Sequence, residues 1–254
     1  MEIIGPLLIA TIAGFSTVLG GLVVLFKIKK QNISKFITFC LSFSLAIMIL
    51  ISITDLIPES TYIILGKFGT FTGIIVTIIT FITGGFLINI INKKIKNYTN
   101  KKTADSNLYR VGILSMLALM IHNLPEGIAT FMSAMKDINL GITLGIAIML
   151  HNIPEGISIA VPLYYSTGKK GSSILKTFIS GLAEPLGAFL AFLLFRNYVT
   201  DLFISIILVL VAGIMINLSI NELFPKAKEY GEDKYIILGL ISGLFMIIIN
   251  HLIF

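Results

Sequence analysis

Two stretches carry the same chemistry-bearing pattern: "MIHNLPEGIAT" from Met120 and "MLHNIPEGISI" from Met149. Each holds a histidine, an asparagine, a proline, a glutamate and a glycine within six residues. His122 and Glu126 are i and i+4, as are His151 and Glu155, so on a helix each pair stacks on one face. Imidazole and carboxylate on a shared face, twice over, with the amides of Asn123 and Asn152 beside them, form a donor set for a divalent transition metal. Each proline removes one backbone hydrogen bond, so Pro125 should free the carbonyl of Ile121 and Pro154 that of Leu150. A third polar spot, "GLAEPLG", places Glu184 directly before Pro185.

The elements that must position these residues are apolar. Hydrophobic residues make up 56% of the chain and charged residues 13%, against about 25% charged in a soluble domain; the mean hydropathy is +0.97. The chain therefore reads as an all-α polytopic membrane protein, a single transmembrane domain over residues 1–254. A bilayer-crossing helix needs about 20 mostly apolar residues. Eight segments qualify, at roughly 4–26, 36–58, 70–91, 109–134, 138–164, 172–195, 202–224 and 234–254. The connections are short except a polar stretch at about 92–108. Cys40 is the sole cysteine and excludes a disulfide framework. The opening "MEIIGPLLIA" has no positive leader and reads as an uncleaved first span.

The basic residues gather on one side. Lys27, Lys29, Lys30 and Lys35 fall between spans 1 and 2. Lys93, Lys94, Lys96, Lys101, Lys102 and Arg110 fall between spans 3 and 4. Lys169, Lys170 and Lys176 follow span 5, and Lys226, Lys228 and Lys234 follow span 7. Only Lys67, Lys136 and Arg196 belong to the other side. The positive-inside rule then makes the 92–108 loop cytoplasmic and both termini extracytoplasmic in the cell membrane. The net charge of +6 is thus a topology signal and not a nucleic-acid patch. The tyrosines all fall at or beyond expected span ends, as suits an amphipathic ring. "GITLG" and "GLISG" read as close helix packing.

Depth ties the polar spots together. At a rise of about 1.5 Å per residue, His122, His151 and Glu184 each lie roughly 18 Å, or about 12 residues, into their spans. All three clusters reach the bilayer midplane, and spans 4 and 5 are antiparallel neighbours. An ionised carboxylate there costs about 2.5–3.5 kcal/mol, so Glu126, Glu155 and Glu184 together cost roughly 9 kcal/mol if unpaired. The sequence places no Lys or Arg at that depth, and a bound cation supplies the missing partner. Met48 reaches the same depth on span 2, as a soft ligand or as a core filler. Asp55 in "TDLIPES" and Glu222 in "NELFPKA" each stand three residues before a proline. Spans 2 and 7 run oppositely, so these acids belong to opposite mouths as gating residues. That arrangement is what an inverted repeat of spans 1–3 and 6–8 around spans 4 and 5 would give. His251 reads as an interfacial histidine.

Other classes fit less well. An intramembrane metalloprotease lacks its H-E-x-x-H, and nothing marks the chain as an enzyme. A proton-coupled carrier of another solute would share the kinks and carboxylates, but it needs no two histidines aligned with glutamates. A passive metal channel stays open beside a carrier.

"HNLPEG", "HNIPEG", the Glu-Pro of span 6, "DLIPE" and "NELFP" resemble the ZIP (Zrt/Irt-like) divalent metal transporters, closest to their bacterial ZupT-type branch. The resemblance covers all eight spans. It implies movement of divalent metal into the cytoplasm, zinc most commonly, with iron, manganese, cobalt or cadmium as further substrates. It also implies a two-metal centre. One site would use His122, Glu126, His151 and Glu155, with Met48 as a further candidate. The other would use Asn123, Glu126, Asn152, Glu155 and Glu184, with Glu126 and Glu155 bridging. Some relatives carry a carboxylate in place of Asn152, which implies a weaker second site here. The 92–108 loop has no histidine, so no metal sensing is expected there. The family often forms dimers, so the resemblance adds a homodimer to the expected partners, metal ions and lipid.

Overall fold

The computed structural model describes residues 3–26, 32–100, 107–195, 200–230 and 233–253, and every regular element among them is helical. Helix α1 (Ile4–Gly21) ends in a 3-10 turn. Helix α2 (Ile33–Ile51) passes through a π turn, Ser52–Leu56, into α3 (Ile57–Phe68). Helices α4 (Thr70–Asn100), α5 (Asn107–Lys136) and α6 (Ile138–Thr167) follow. Helix α7 (Lys170–Gly181) is separated by Leu182 from α8 (Ala183–Phe195). Helix α9 (Asp201–Leu218) passes through a second π turn, Ser219–Leu223, into α10 (Phe224–Tyr230), and α11 (Asp233–Ile253) closes the chain. Seven of these stretches are long and apolar enough to cross a membrane.

Local signals set most boundaries. Asp137 caps α6 by accepting from the backbone N–H groups of Asn139 (2.7 Å) and Leu140 (3.1 Å). Gly168 ends the helix at φ 68°, a conformation open to glycine. Thr200 caps α9 through the N–H of Phe203 at 3.2 Å. Where bilayer replaces water, side-chain hydroxyls need partners inside the protein. Thr77, Thr130 and Thr177 accordingly bond the carbonyl one turn back in their own helices.

The structure moves some expected boundaries. Helix α4 runs to Asn100, well beyond 91, because "NKKIKNYTN" holds no proline or glycine to stop it. Of the expected 92–108 loop only 101–106 lies outside the described residues. Lys27, Lys29, Lys30, Lys101, Lys102 and Arg196, which carry part of the charge asymmetry, also lie outside them. The prolines act unequally. Pro125 and Pro154 stay inside unbroken helices. Pro185 follows the one-residue turn at Leu182, which keeps helical dihedrals, and Pro58 and Pro225 each lie just past a π turn.

Helix α6 is central: 78% of its apolar window is buried, against 22% for α4 and 28% for α11. It packs on α1, α5 and α2, while α5 packs on α8, α4 on α9 and α11 on α2. Exposed Ile74, Ile78, Ile82 and Phe86 on α4, and Ile237, Ile241 and Phe245 on α11, face outward. Buried His, Asn and Glu lie inward. A polar centre within an apolar exterior is what burial in a bilayer favours.

Glycines let the central helices touch. A methyl on Gly127 would overlap the carbonyl oxygen of Glu184, and one on Gly187 that of Leu124, so α5 and α8 cross backbone to backbone. Gly156 meets the carbonyl of Thr17, and Gly20 that of Ile153, which joins α6 to α1 in the same way. The glycines of "GITLG" and "GLISG" also stand at close approaches, Gly141 against Ala134, Gly145 against Ile9, Gly239 against Phe39 and Gly243 against Ala46.

Candidate metal centre

The two motifs meet across the α5–α6 hairpin. His151 Nε2 lies 3.0 Å from Glu126 Oε1, and both side chains are fully buried. The imidazole of one motif therefore pairs with the carboxylate of the other. Ser44 of α2 donates to the backbone carbonyl of His151 at 2.9 Å and anchors that turn from a third helix.

A second group forms one turn away. Asn123 donates through Nδ2 to Glu184 Oε1 at 3.3 Å. Asn152 donates to the same oxygen and, at 2.9 Å, to the carbonyl of Ala13 in α1. All three side chains are buried. Glu184 stands just past the turn at Leu182, in the first turn of α8. The Gly127 and Gly187 crossings hold α8 against α5 at this level.

Glu155 is buried on α6 and sits within the electrostatic reach of Glu126 and Glu184. The charge of Lys226 acts on Glu155. Span counting put Lys226 in a connection, but the helix resumes after the π turn and continues to Tyr230. Met48 is buried on α2 with its sulfur 3.8 Å from Ser219 Oγ, facing the second π turn. Helix α5 carries His122 one turn before Glu126, and its side chain lies outside the described residues. Among the described residues no three His, Cys, Asp or Glu side chains are gathered into a ready metal cage. What is assembled is a His–Glu pair beside a Glu held by two amides.

The donors suit a cation. His151 Nδ1, Asn123 Oδ1, Asn152 Oδ1 and Glu184 Oε2 are buried and make no hydrogen bond among the described residues. Each such buried polar atom costs about 1–3 kcal/mol. Two ligands on a tetrahedral zinc, with bonds of about 2.0–2.1 Å, stand about 3.3 Å apart. The His151–Glu126 separation of 3.0 Å is a few tenths of an ångström short of that.

Cavities lie on both sides. One is lined by Asp55, Glu59, Ser133, Leu144, Ala147 and Asn250; Ala147 is one helical turn from His151. The other is lined by Leu119, Ser158, Leu218, Glu222 and Lys226; Ser158 bonds the carbonyl of Glu155 at 2.7 Å. The two expected gating acids thus line different cavities, each inside its own π turn. At the Asp55 end Glu59 pairs with Lys136, and His251 Nε2 lies 2.8 Å from Asp55 Oδ1. His251 was legible only as a polar residue near a helix end. Its pairing with Asp55 depends on α11 packing along α2.

Comparison with known proteins adds an independent line. Residues 95–251 match the family model described as ZIP Zinc transporter. The chain is 38% identical over 272 residues to the zinc transporter ZupT of Clostridium perfringens (strain 13 / Type A), covering 97% of this chain and 95% of that protein. It is 39% identical over 260 residues to the zinc transporter ZupT of Oceanobacillus iheyensis, covering 97% and 96%. The zinc transporter ZupT of Streptococcus mutans serotype c is 36% identical over 256 residues, covering 97% and 96%.

Proposed function

The chain belongs to the ZIP family of zinc transporters, and we propose that it moves divalent transition-metal ions, zinc foremost, into the cytoplasm through the buried centre on α5, α6 and α8. The observation that carries this reading is the cross-motif pair of His151 and Glu126 beside Glu184 and its two amides. One ion would take His122, Glu126, His151 and Glu155. A second would take Asn123, Glu126, Asn152, Glu155 and Glu184, with Glu126 and Glu155 shared. Met48, one turn from Ser44 on α2, would be a further ligand candidate for the first site.

We infer eight spans, with α5 as the eighth, and an inverted repeat of spans 1–3 and 6–8. Support comes from pairs at one constant sequence separation: Gly14 and Gly181, Thr17 and Glu184, Gly20 and Gly187, Met48 and Met215, Ser52 and Ser219, Asp55 and Glu222. Their contacts are reciprocal. Ser52 Oγ lies 3.9 Å from Met215 Sδ, and Ser219 Oγ lies 3.8 Å from Met48 Sδ. Gly14 and Gly181 each meet the other's carbonyl. Such a repeat suits alternating access. Complete burial of His151, Glu126 and Glu184 favours a carrier over an open channel, since ions reach them only when helices move. The orientation, with the Asp55 mouth outside, rests on the basic residues.

The deciding experiment is uptake of zinc, iron(II), manganese, cobalt and cadmium into proteoliposomes, with and without an imposed proton gradient. Saturable zinc uptake is expected, abolished by Glu126→Gln. Equal uptake by the two proteins would overturn the site.

A further inference from the structure

We propose that Asp55 and His251 form a separate binding site for a divalent transition-metal ion at the mouth, distinct from the buried centre. This rests on the proposed transport of such ions and gives the outer mouth a defined ligand pair. His251 Nδ1 lies 2.9 Å from the carbonyl oxygen of Ile247. A carbonyl only accepts, so Nδ1 carries the hydrogen and donates it there. Nε2 then faces Asp55 Oδ1 at 2.8 Å. A lone pair opposite a carboxylate oxygen requires a proton or a metal ion between them. A metal-binding histidine ordinarily donates its other N–H to a carbonyl or carboxylate, which fixes the ring; Ile247 supplies that contact.

The surroundings are built for a cation. Thr54 Oγ1 lies 2.7 Å from Asp55 Oδ2 and turns the carboxylate so that Oδ1 meets the ring. The cavity behind Asp55 is lined by Glu59, Ser133 and Asn250. Asn250 is 5% exposed and Ser133 fully buried, and Asn250 Oδ1 and Ser133 Oγ make no hydrogen bond among the described residues. Two unsatisfied oxygen donors beside a His–carboxylate pair are what an oxygen- and nitrogen-seeking ion would use. Zinc ligands stand about 3.3 Å apart on a tetrahedral ion, so the pair must open by about half an ångström. Both side chains are partly exposed, 38% for His251 and 23% for Asp55, which leaves room for that adjustment. The cavity extends to Ala147, one turn from His151, so an ion captured at the mouth is held on the side from which a helix movement would open the centre.

The test is zinc titration of the full chain, purified in detergent, in a Glu126→Gln/Glu155→Gln background that weakens the central site. One zinc per chain is expected to remain. Adding His251→Gln, or separately Asp55→Asn, should weaken it by at least the ~10–100-fold that loss of even an outer-shell partner costs. Metal-free melting temperatures of these variants check folding and separate a merely structural role. In an otherwise unaltered chain His251→Gln should raise the KM for zinc uptake several-fold with the maximal rate unchanged. Unchanged zinc affinity in both added variants overturns the mouth site, whatever the transport assay gives. Normal uptake by the background variant instead overturns the central site and leaves this binding measurement standing.

Discussion

His151 of one motif pairs with Glu126 of the other, Nε2 to Oε1 at 3.0 Å, with both side chains fully buried. The i and i+4 spacing of His and Glu within each motif puts them on one face, a turn apart along the helix. The contact that forms runs between helices, so the centre depends on how α5 and α6 are registered. A cation joining such a pair ties the two helices together, and its arrival and departure are mechanically coupled to their packing.

Charge at Glu126 and Glu155 should matter more than shape. Glu→Gln keeps the volume and is cheaper to bury. Both variants are expected to fold and insert, to lose most zinc uptake, and to lose the rise in melting temperature that zinc gives the unaltered chain. A ligand at 100 times its Kd stabilises by about 2.7 kcal/mol. Melting curves with and without zinc, alongside uptake, check this; a full zinc shift in both variants contradicts it.

The glycines that end the two motifs should be intolerant of a methyl group. Gly127→Ala drives a carbon into the Glu184 carbonyl, and Gly156→Ala into that of Thr17. Overpacking of this kind costs about 1–3 kcal/mol or more, read as a lower melting temperature without metal. Gly66→Ala is the control, since nothing lies within 4 Å of the added carbon. There helix propensity favours alanine by roughly 0.5–1 kcal/mol.

Lys226 acts on Glu155 from the opposite cavity, as a tethered cation would. Lys226→Gln removes a charge that competes with metal, so zinc should bind several-fold more tightly and leave toward the cytoplasm more slowly. Glu222→Ala, in the same cavity, should slow release without weakening capture. Stopped-flow efflux from preloaded vesicles measures both, and unaltered efflux in the two variants would remove any gating role from this mouth.

A cysteine introduced between residues 101 and 106 should react with impermeant maleimide only from the cytoplasmic face. The native Cys40 is buried, so the background is quiet. Labelling from outside reverses the proposed orientation.

The helical class and the polar residues of the candidate centre were legible along the chain. Apolar runs of bilayer length fix the helices because every backbone polar group must bond within its own segment. The paired H-N-x-P-E-G stretches name their donors because i and i+4 spacing is a property of one helix alone. The partner choices came from elsewhere. Nothing in the sequence couples His151 to Glu126 in preference to Glu155, or sets Asn123 and Asn152 on one oxygen of Glu184. Those follow from backbone crossings at Gly127, Gly156 and Gly187, where missing side chains let helices approach to contact distance. The surroundings of Lys226 and His251 were hidden for a related reason. Their positions depend on a helix resuming after a π turn and on α11 lying along α2, and periodicity within one segment carries no record of its neighbours. The sequence thus determined which groups are available at each depth. Tertiary packing decided which of them meet, because contacts between helices depend on register and crossing points that span residues far apart in the chain.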